Sequence, residues 1–370
     1  MSSIPFSDLN AQFRAYEEEI RTAVDSVMTS SRFIGGPEVS SLEEELADFT
    51  GARHAISCGS GTDALMIAFL ALGMGPGDEV VTTPFTFFAT AGAAAVLGIK
   101  PVFVDIDPAT LQISPEKISS AVTKATKAII PVGLYGTPAD MDEINSVASE
   151  YGVPVIEDSA QSLGAPYRDR VSGALGHIGC TSFYPAKPLG AYGEGGALFT
   201  DDDDLAKVLR MTMNQGQDCT YSHSCLGFNG RLDAMQAAIL RVKLRHLPEE
   251  LATRNRIAAR YAAGLEGSAA ETTVVPEDRG SSWAQYTVRV SERESFREAL
   301  QERGVPTAVH YPVPLYRQPV FKHLDSDPAN FPVAEDAARR VVSLPMSPFL
   351  KEKDQDRVIQ AVTEVLGGGR

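Results

Sequence analysis

Short apolar runs alternate with two-faced stretches of helical period along the first two thirds of the chain. Apolar residues recur at helical spacing over 60–72 and stop at Gly73. Gly75-Pro76-Gly77-Asp78 then turns the chain into an apolar run over 79–83. The same reading predicts a helix over 86–97 with Gly98 as its C-cap and a strand over 101–106 closed by Asp107-Pro108. A strand over 128–132, a helix over 141–151 capped by Gly152 and a strand over 153–157 follow. Short apolar strands between two-faced helices predict an α/β fold with a mostly parallel sheet covered on both sides. Crossover handedness would then gather the strand ends, and any ligand, along one edge.

The rhythm changes after a long helical stretch from 231 to about 264, rich in Ala, Leu and Arg. Beyond it the pattern predicts a strand over 283–290, a helix over 293–303, a strand over 305–311 and a closing helix from Lys351. That is a smaller α+β unit. The expected division is 1–245, a large domain with its N-terminal segment, and 246–370, a small C-terminal domain. No repeat or low-complexity segment interrupts either part.

Length agrees with two units, since 370 residues exceed one typical domain of roughly 100–200 residues. Apolar residues at 44% and charged residues at 22% support a large core. A net charge of −15 argues against a basic nucleic-acid footprint and against a polybasic membrane anchor. It leaves room for an anionic small substrate, because a local Arg or Lys cluster can reverse the field inside a cleft. The uncharged stretch 80–99 is long enough to cross a bilayer, but its threonines, Pro84 and glycines fit a strand, a loop and a buried helix better. Residues 1–12 contain no charged leader followed by an apolar core. Cys58, Cys180, Cys219 and Cys225 form no C-x-x-C pair and read as free thiols of a reducing compartment. The expectation is a soluble, cytoplasmic protein with neither nucleic-acid nor membrane partners. Asp201-Asp202-Asp203-Asp204 resembles a metal site at first sight, but reads better as the acidic start of an exposed helix, so no metal is expected.

Two motifs bring in chemistry. Glu157-Asp158-Ser159-Ala160-Gln161 ends a buried strand, and Thr181-Ser182-Phe183-Tyr184-Pro185-Ala186-Lys187-Pro188-Leu189-Gly190 sets a lysine in an aromatic, hydroxyl-rich turn. Pyridoxal phosphate chemistry needs this pair. A lysine amine condenses with the cofactor aldehyde, and an aspartate keeps the pyridinium nitrogen protonated so that the ring acts as an electron sink. Taken singly, either residue also reads as a surface lysine or a helix-capping acid. Ser57-Cys58-Gly59-Ser60-Gly61-Thr62-Asp63-Ala64-Leu65 joins a strand to a helix. Its small residues would let helix N-terminal amides hold a phosphate, although a plain glycine turn with an N-cap fits equally. Within Phe85-Thr86-Phe87-Phe88 an aromatic could stack on a ring or sit in the core. Gln161 is spaced to meet the pyridine 3-hydroxyl, and Ser182 is a further phosphate donor. Gly227-Phe228-Asn229-Gly230-Arg231 opens the long helix and His310-Tyr311 ends a strand. Both also read as structural, a simple turn and satisfied core.

With these motifs the chain resembles the DegT/DnrJ/StrS family of nucleotide-sugar aminotransferases. The resemblance runs from Ile34-Gly35-Gly36-Pro37-Glu38-Val39 to Ser343-Leu344-Pro345-Met346 and rests on Ser60-Gly61-Thr62-Asp63-Ala64-Leu65, Val155-Ile156-Glu157-Asp158-Ser159-Ala160-Gln161 and Tyr184-Pro185-Ala186-Lys187. It implies a fold-type I PLP-dependent transferase that works as a homodimer with active sites at the subunit interface. It further implies that Lys187 is the Schiff-base lysine, Asp158 the pyridinium partner and Gln161 the neighbour of the 3-hydroxyl. Gly61, Thr62 and Ser182 match the phosphate cradle, Asn229 a phosphate ligand given by the other subunit, and Phe87 the stacking aromatic. Relatives with histidine in place of the lysine are sugar dehydratases, so Lys187 favours transamination.

The segments Ala284-Gln285-Tyr286-Thr287-Val288-Arg289 and Gly304-Val305-Pro306-Thr307-Ala308-Val309-His310-Tyr311-Pro312 are similar to the branch acting on UDP-3-oxo-N-acetylglucosaminuronate. That branch moves an amine from glutamate to C3 of the sugar, for surface polysaccharides such as lipopolysaccharide. Arg231 and His310 are the expected cationic partners of the nucleotide and the sugar carboxylate, with Tyr311 beside them. Lys187 is expected to move the α-proton, its pKa lowered by cationic surroundings. Three other readings stay open: a dTDP-3-oxo-6-deoxyhexose 3-aminotransferase, a family enzyme acting on a carbocycle, and a non-catalytic regulatory protein on the same fold.

Overall fold

The fold was read from a computed structural model that describes residues 4–367; residues 1–3, the start of the stretch searched for a leader, lie outside the described residues. Seven strands among these residues build the main sheet: β1 (His54–Cys58), β2 (Glu79–Thr82), β3 (Lys100–Phe103), β4 (Thr126–Ile130), β5 (Ile156–Asp158), β6 (Ile178–Ser182) and β7 (Gly196–Thr200). β1, β7, β6 and β5 pair in that order, as do β3, β2 and β4. Parallel bridges Ile129↔Val155 and Val132↔Asp158 join the two halves into the order β1-β7-β6-β5-β4-β2-β3. β7 runs antiparallel to both its neighbours, and the other pairings are parallel. This is the mostly parallel sheet that the sequence pattern predicts.

Helices cover both faces. α1 (Leu9–Ala15), α2 (Glu17–Ser30) and α3 (Pro37–Thr50) precede the sheet, α4 (Gly61–Ala71), α5 (Ala89–Val96), α6 (Pro115–Ala121) and α7 (Met141–Tyr151) connect its strands, and α8 (Asp203–Met213) follows β7. Successive strand residues point to opposite faces. Val80, Ala128, Ile130, Ile156 and Leu198 therefore pack with Leu65, Phe69, Ala93 and Leu209 of α4, α5 and α8. Val81, Ile129 and Val155 meet Ile118 and Ile144 of α6 and α7 on the other side. Ala55, Ala197 and Phe199 meet Leu42 and Leu46 of α3 together with Leu240 and Leu244. Burial on both faces explains why these strands read as continuous apolar runs.

The long helix α9 spans Ala234–Leu265 and continues through Pro248. After it, β8 (Tyr286–Arg289) and β9 (Val341–Leu344) form an antiparallel pair, with Glu271–Thr272 on its edge. α10 (Arg293–Glu302) and α11 (Glu352–Gly367) pack on that pair, Phe296, Leu300, Val358 and Val362 sharing a core with Val288 and Val342.

Two predicted elements differ. The strand expected over 305–311 is reduced to a single bridge, Ala308↔Ser343. Pro306 and Pro312 flank it, and a proline has no N–H to give a sheet ladder. The helix expected over 86–97 begins only at Ala89, because Thr86 and Phe87 turn toward a cavity instead of continuing a helix. The uncharged stretch 80–99 resolves into β2, a loop and α5, and no helix among the described residues is long and apolar enough to cross a membrane.

The acidic run behaves as a helix start. Asp202 caps α8, accepting from the N–H groups of Asp204 at 2.8 Å and Leu205 at 2.9 Å. Asp203 meets His54 and Arg53. All four cysteines are free.

Candidate active site

A cavity of about 520 Å³ opens where β1, β2, β5 and β6 end at their carboxyl edges, the position at which open α/β sheets bind ligands. Ser60, Gly61 and Thr62 follow β1; Thr86, Phe87 and Thr90 follow β2; Asp158 and Gln161 follow from β5; and Ser182 ends β6. Lys187 lines the same cavity, as do Gln285, His310 and Tyr311 from the C-terminal part of the chain.

One end is built for an anion. Ser60 caps α4 by accepting from Asp63 N–H at 3.0 Å, and the first amides of the helix, at Gly61 and Thr62, have no partner within it. Ser182 closes on this turn so tightly that a Cβ on Gly61 would lie 2.6 Å from the Ser182 Cβ. Glycine is needed there for the serine hydroxyl and the helix start to face one ligand.

The other end holds a carboxylate. Asp158 Oδ2 accepts from Thr90 Oγ1 at 2.8 Å, and Oδ1 from Ala160 N–H at 3.2 Å. Burial pushes its carboxyl above the ordinary aspartate range, against the Thr90 and Ala160 hydrogen bonds and the charge of Lys187, which pull it down. A cationic partner would keep this group ionised.

Lys187 sits in a closed turn, its N–H donating to Tyr184 O at 2.8 Å while Ala191 N–H donates to Phe183 O at 2.7 Å. Burial pushes the amine down to about 8, and Asp158 opposes the shift. The cationic surroundings expected from the sequence are therefore not the cause; desolvation is.

The two expected cationic partners do not act as such within one chain. The imidazole of His310 is pushed down to about 4 by burial and then by the charge of Lys187, so it is neutral near pH 7. Its Nδ1 lies 2.9 Å from Ser343 Oγ. Arg231 is outside the cavity, donating to Asn214 Oδ1 at 2.7 Å. Asn229 is also outside, exposed and bridged to Asn214. Phe87 does line the cavity, its ring 6.0 Å from that of Tyr311 and tilted by 42°. Gln161 accepts from Tyr135 N–H at 2.9 Å through Oε1, and its side chain also hydrogen-bonds Tyr311.

Sequence reasoning missed Thr90, Tyr135 and Gln285. Thr90 left a trace, a hydroxyl four residues after Thr86, to which it lies 3.2 Å. Gln285 stands in the segment 284–289 singled out above, without a role assigned to it, and Tyr135 left no trace. The donor set as a whole fits pyridoxal phosphate: amides and a hydroxyl for the phosphate, a buried carboxylate for the ring nitrogen and a lowered-pKa lysine for the aldehyde.

Comparison with known proteins shows the family and the fold. The profile of the DegT/DnrJ/EryC1/StrS aminotransferase family matches residues 14–363. A Pseudomonas aeruginosa protein named UDP-2-acetamido-2-deoxy-3-oxo-D-glucuronate aminotransferase is 49% identical, over 97% of this chain and 99% of its own. A Geobacillus stearothermophilus protein named a pleiotropic regulatory protein is 47% identical over 98% of each chain. Among solved structures, S. venezuelae DesV in complex with a ketimine intermediate superposes with a TM-score of 0.97 at 40% identity, covering 100% of both chains.

Proposed function

The chain belongs to the DegT/DnrJ/EryC1/StrS aminotransferase family, and on that ground we propose that it moves an amino group from glutamate to the C3 keto group of a UDP-linked 3-oxo-N-acetylglucosaminuronic acid. The protein is a pyridoxal-phosphate-dependent aminotransferase of fold type I. The observation that carries the reading is Lys187 and Asp158 in one cavity with the start of α4 and Ser182. The substrate class follows from the similarity to the P. aeruginosa enzyme.

When bound, pyridoxal phosphate supplies an aldehyde for a lysine amine and a ring that takes up an electron pair. The rest is work of this chain. The amides of Gly61 and Thr62 with the Ser182 hydroxyl would hold the phosphate. Asp158, steadied by Thr90 and Ala160, would pair with the ring nitrogen. Gln161 would meet the 3-hydroxyl, and Phe87 would cover a ring face, both lining the cavity. With a pKa of about 8, the Lys187 amine is neutral in a fraction of molecules near pH 7, accepts the α-proton of the amino donor and returns one to the product.

The reading includes a homodimer. A nucleotide and a sugar carboxylate need cations, yet the residues lining the cavity include one lysine and no arginine. Asn229 and Arg231 follow, a few residues on, a stretch that carries strongly exposed Tyr221 and Leu226. A second copy covering this region would bring both polar residues to its neighbour's cavity. The reading also keeps a division near residue 245 within α9, a role in surface-polysaccharide precursors and a cytoplasmic location, for which the free cysteines speak. The regulatory name of the G. stearothermophilus relative suggests a non-catalytic alternative; Lys187 and Asp158 lining one cavity with Gly61, Thr62 and Ser182 support the catalytic one.

The test is the visible spectrum of the holoenzyme. The band of the lysine-linked cofactor should bleach with glutamate and return with the UDP-3-oxo-uronate. Return only with a dTDP-3-oxo-6-deoxyhexose would keep the aminotransferase and replace the substrate. No response to any amino donor would favour the regulatory reading.

A further inference from the structure

We infer that Tyr135 is a positioning residue that ties the cofactor-side wall of the cavity to its substrate-side wall, so that removing its hydroxyl weakens nucleotide-sugar binding selectively. The inference rests on the aminotransferase reading above. Tyr135 does not line the cavity, yet three lining residues bond to it. Its N–H donates to Gln161 Oε1 at 2.9 Å, its hydroxyl donates to the His310 carbonyl, and its own carbonyl accepts from Gln285 N–H at 3.4 Å. Gln161 follows β5 of the main sheet, whereas Gln285 and His310 come from the C-terminal part of the chain. One residue therefore bridges the seam between the two, by its backbone to Gln161 and Gln285 and by its hydroxyl to His310, at a place where it is only 3% exposed.

Its backbone supports the same conclusion. Tyr135 has φ 60° and ψ 0°, the left-handed region in which Gly and Asn are at ease and a bulky residue is not. The next residue, Gly136, has φ 113°, and a Cβ there would lie 2.6 Å from the Trp283 nitrogen. A glycine or asparagine at 135 would hold this turn with less strain. What tyrosine adds is the hydroxyl that reaches His310.

Two consequences follow for the cavity. Because Gln161 Oε1 is occupied by the Tyr135 amide, the NH₂ side of that carboxamide is the one left for Tyr311 and a ligand. Because the His310 carbonyl is held, Tyr311, the next residue, is held too. A nucleotide sugar is larger than glutamate and would cover more of this wall, so it should feel a loosened His310-Tyr311 more strongly.

The experiment compares Tyr135→Phe and Tyr135→Asn holoenzymes with wild type, with stopped-flow half-reactions and calorimetric titration of UDP-N-acetylglucosamine. Both variants should raise KM for the keto sugar and Kd for the UDP-sugar by about tenfold, with the glutamate half-reaction and the cofactor band changed by less than about twofold. Asn keeps a residue suited to the turn and gives an answer if Phe folds poorly. Equal loss in both half-reactions, or no change in UDP-sugar affinity, would overturn the inference. A wild-type enzyme unresponsive to glutamate would instead count against the aminotransferase reading itself.

Discussion

Asp158 and Lys187 act on each other's protons within the cavity: the carboxylate raises the proton affinity of the amine, and the ammonium lowers that of the carboxyl. Burial works against both charges, so each is held in its ionised form largely by what lies near it.

Asp158→Asn removes the one influence that raises the Lys187 pKa, and the amine should then titrate below its present value of about 8. The pH dependence of amine labelling in the cofactor-free protein measures this. Turnover should fall on the order of 100-fold, about 2.7 kcal/mol, because the ring nitrogen loses its partner. An unchanged labelling profile would uncouple the two groups.

Lys187→Ala should still take up cofactor, since the cradle of Gly61, Thr62 and Ser182 is untouched, but lose multiple turnover. Equilibrium dialysis followed by steady-state assay checks both halves. Turnover within about tenfold of wild type would remove Lys187 from proton transfer.

Gly61→Ala forces a Cβ toward Ser182 and separates the hydroxyl from the helix start. The expected result is a cofactor Kd raised about tenfold or more, roughly 1.4 kcal/mol, with the fold retained. Fluorescence titration of the cofactor-free protein reads the affinity, and circular dichroism reads the fold.

His310 contributes a defined pH dependence of stability. Its folded pKa of about 4 lies below the ordinary value of 6.5, so between these values the unfolded chain binds the extra proton. This contribution is intact above pH 6.5 and is lost as pH falls toward 4. Melting temperature should drop over that window, and His310→Gln should flatten the drop. Parallel curves for the two proteins would contradict the depressed pKa.

Much of the fold is legible because the central parallel strands, buried on both faces, are uninterrupted apolar runs, and the helices between them stop at glycines such as Gly73, Gly98 and Gly152. Lys187, Asp158, Gly61 and Ser182 are legible because each stands at or just after a strand end, within a short motif. Thr90 and Tyr135 are not. Thr90 reaches Asp158 across 68 positions and Tyr135 reaches His310 across 175, and no local pattern encodes such pairings. The 305–311 segment misleads for the opposite reason: its side chains suit a strand while its prolines deny the ladder. The charge state of His310 was out of reach as well, since it depends on how deeply the ring is buried.

The helix α9, with 32 residues, is about 48 Å long at 1.5 Å per residue. Its first half supplies Leu240, Leu244 and Leu247 to the core behind the main sheet, and its second half supplies Ile257, Tyr261 and Leu265 to the C-terminal core. Chimaeras made to trade sugar preference between relatives should therefore inherit this rod from a single parent, with crossovers before Ala234 or after Leu265. A junction in its middle would ask each parent's core to accept half of the other's wall.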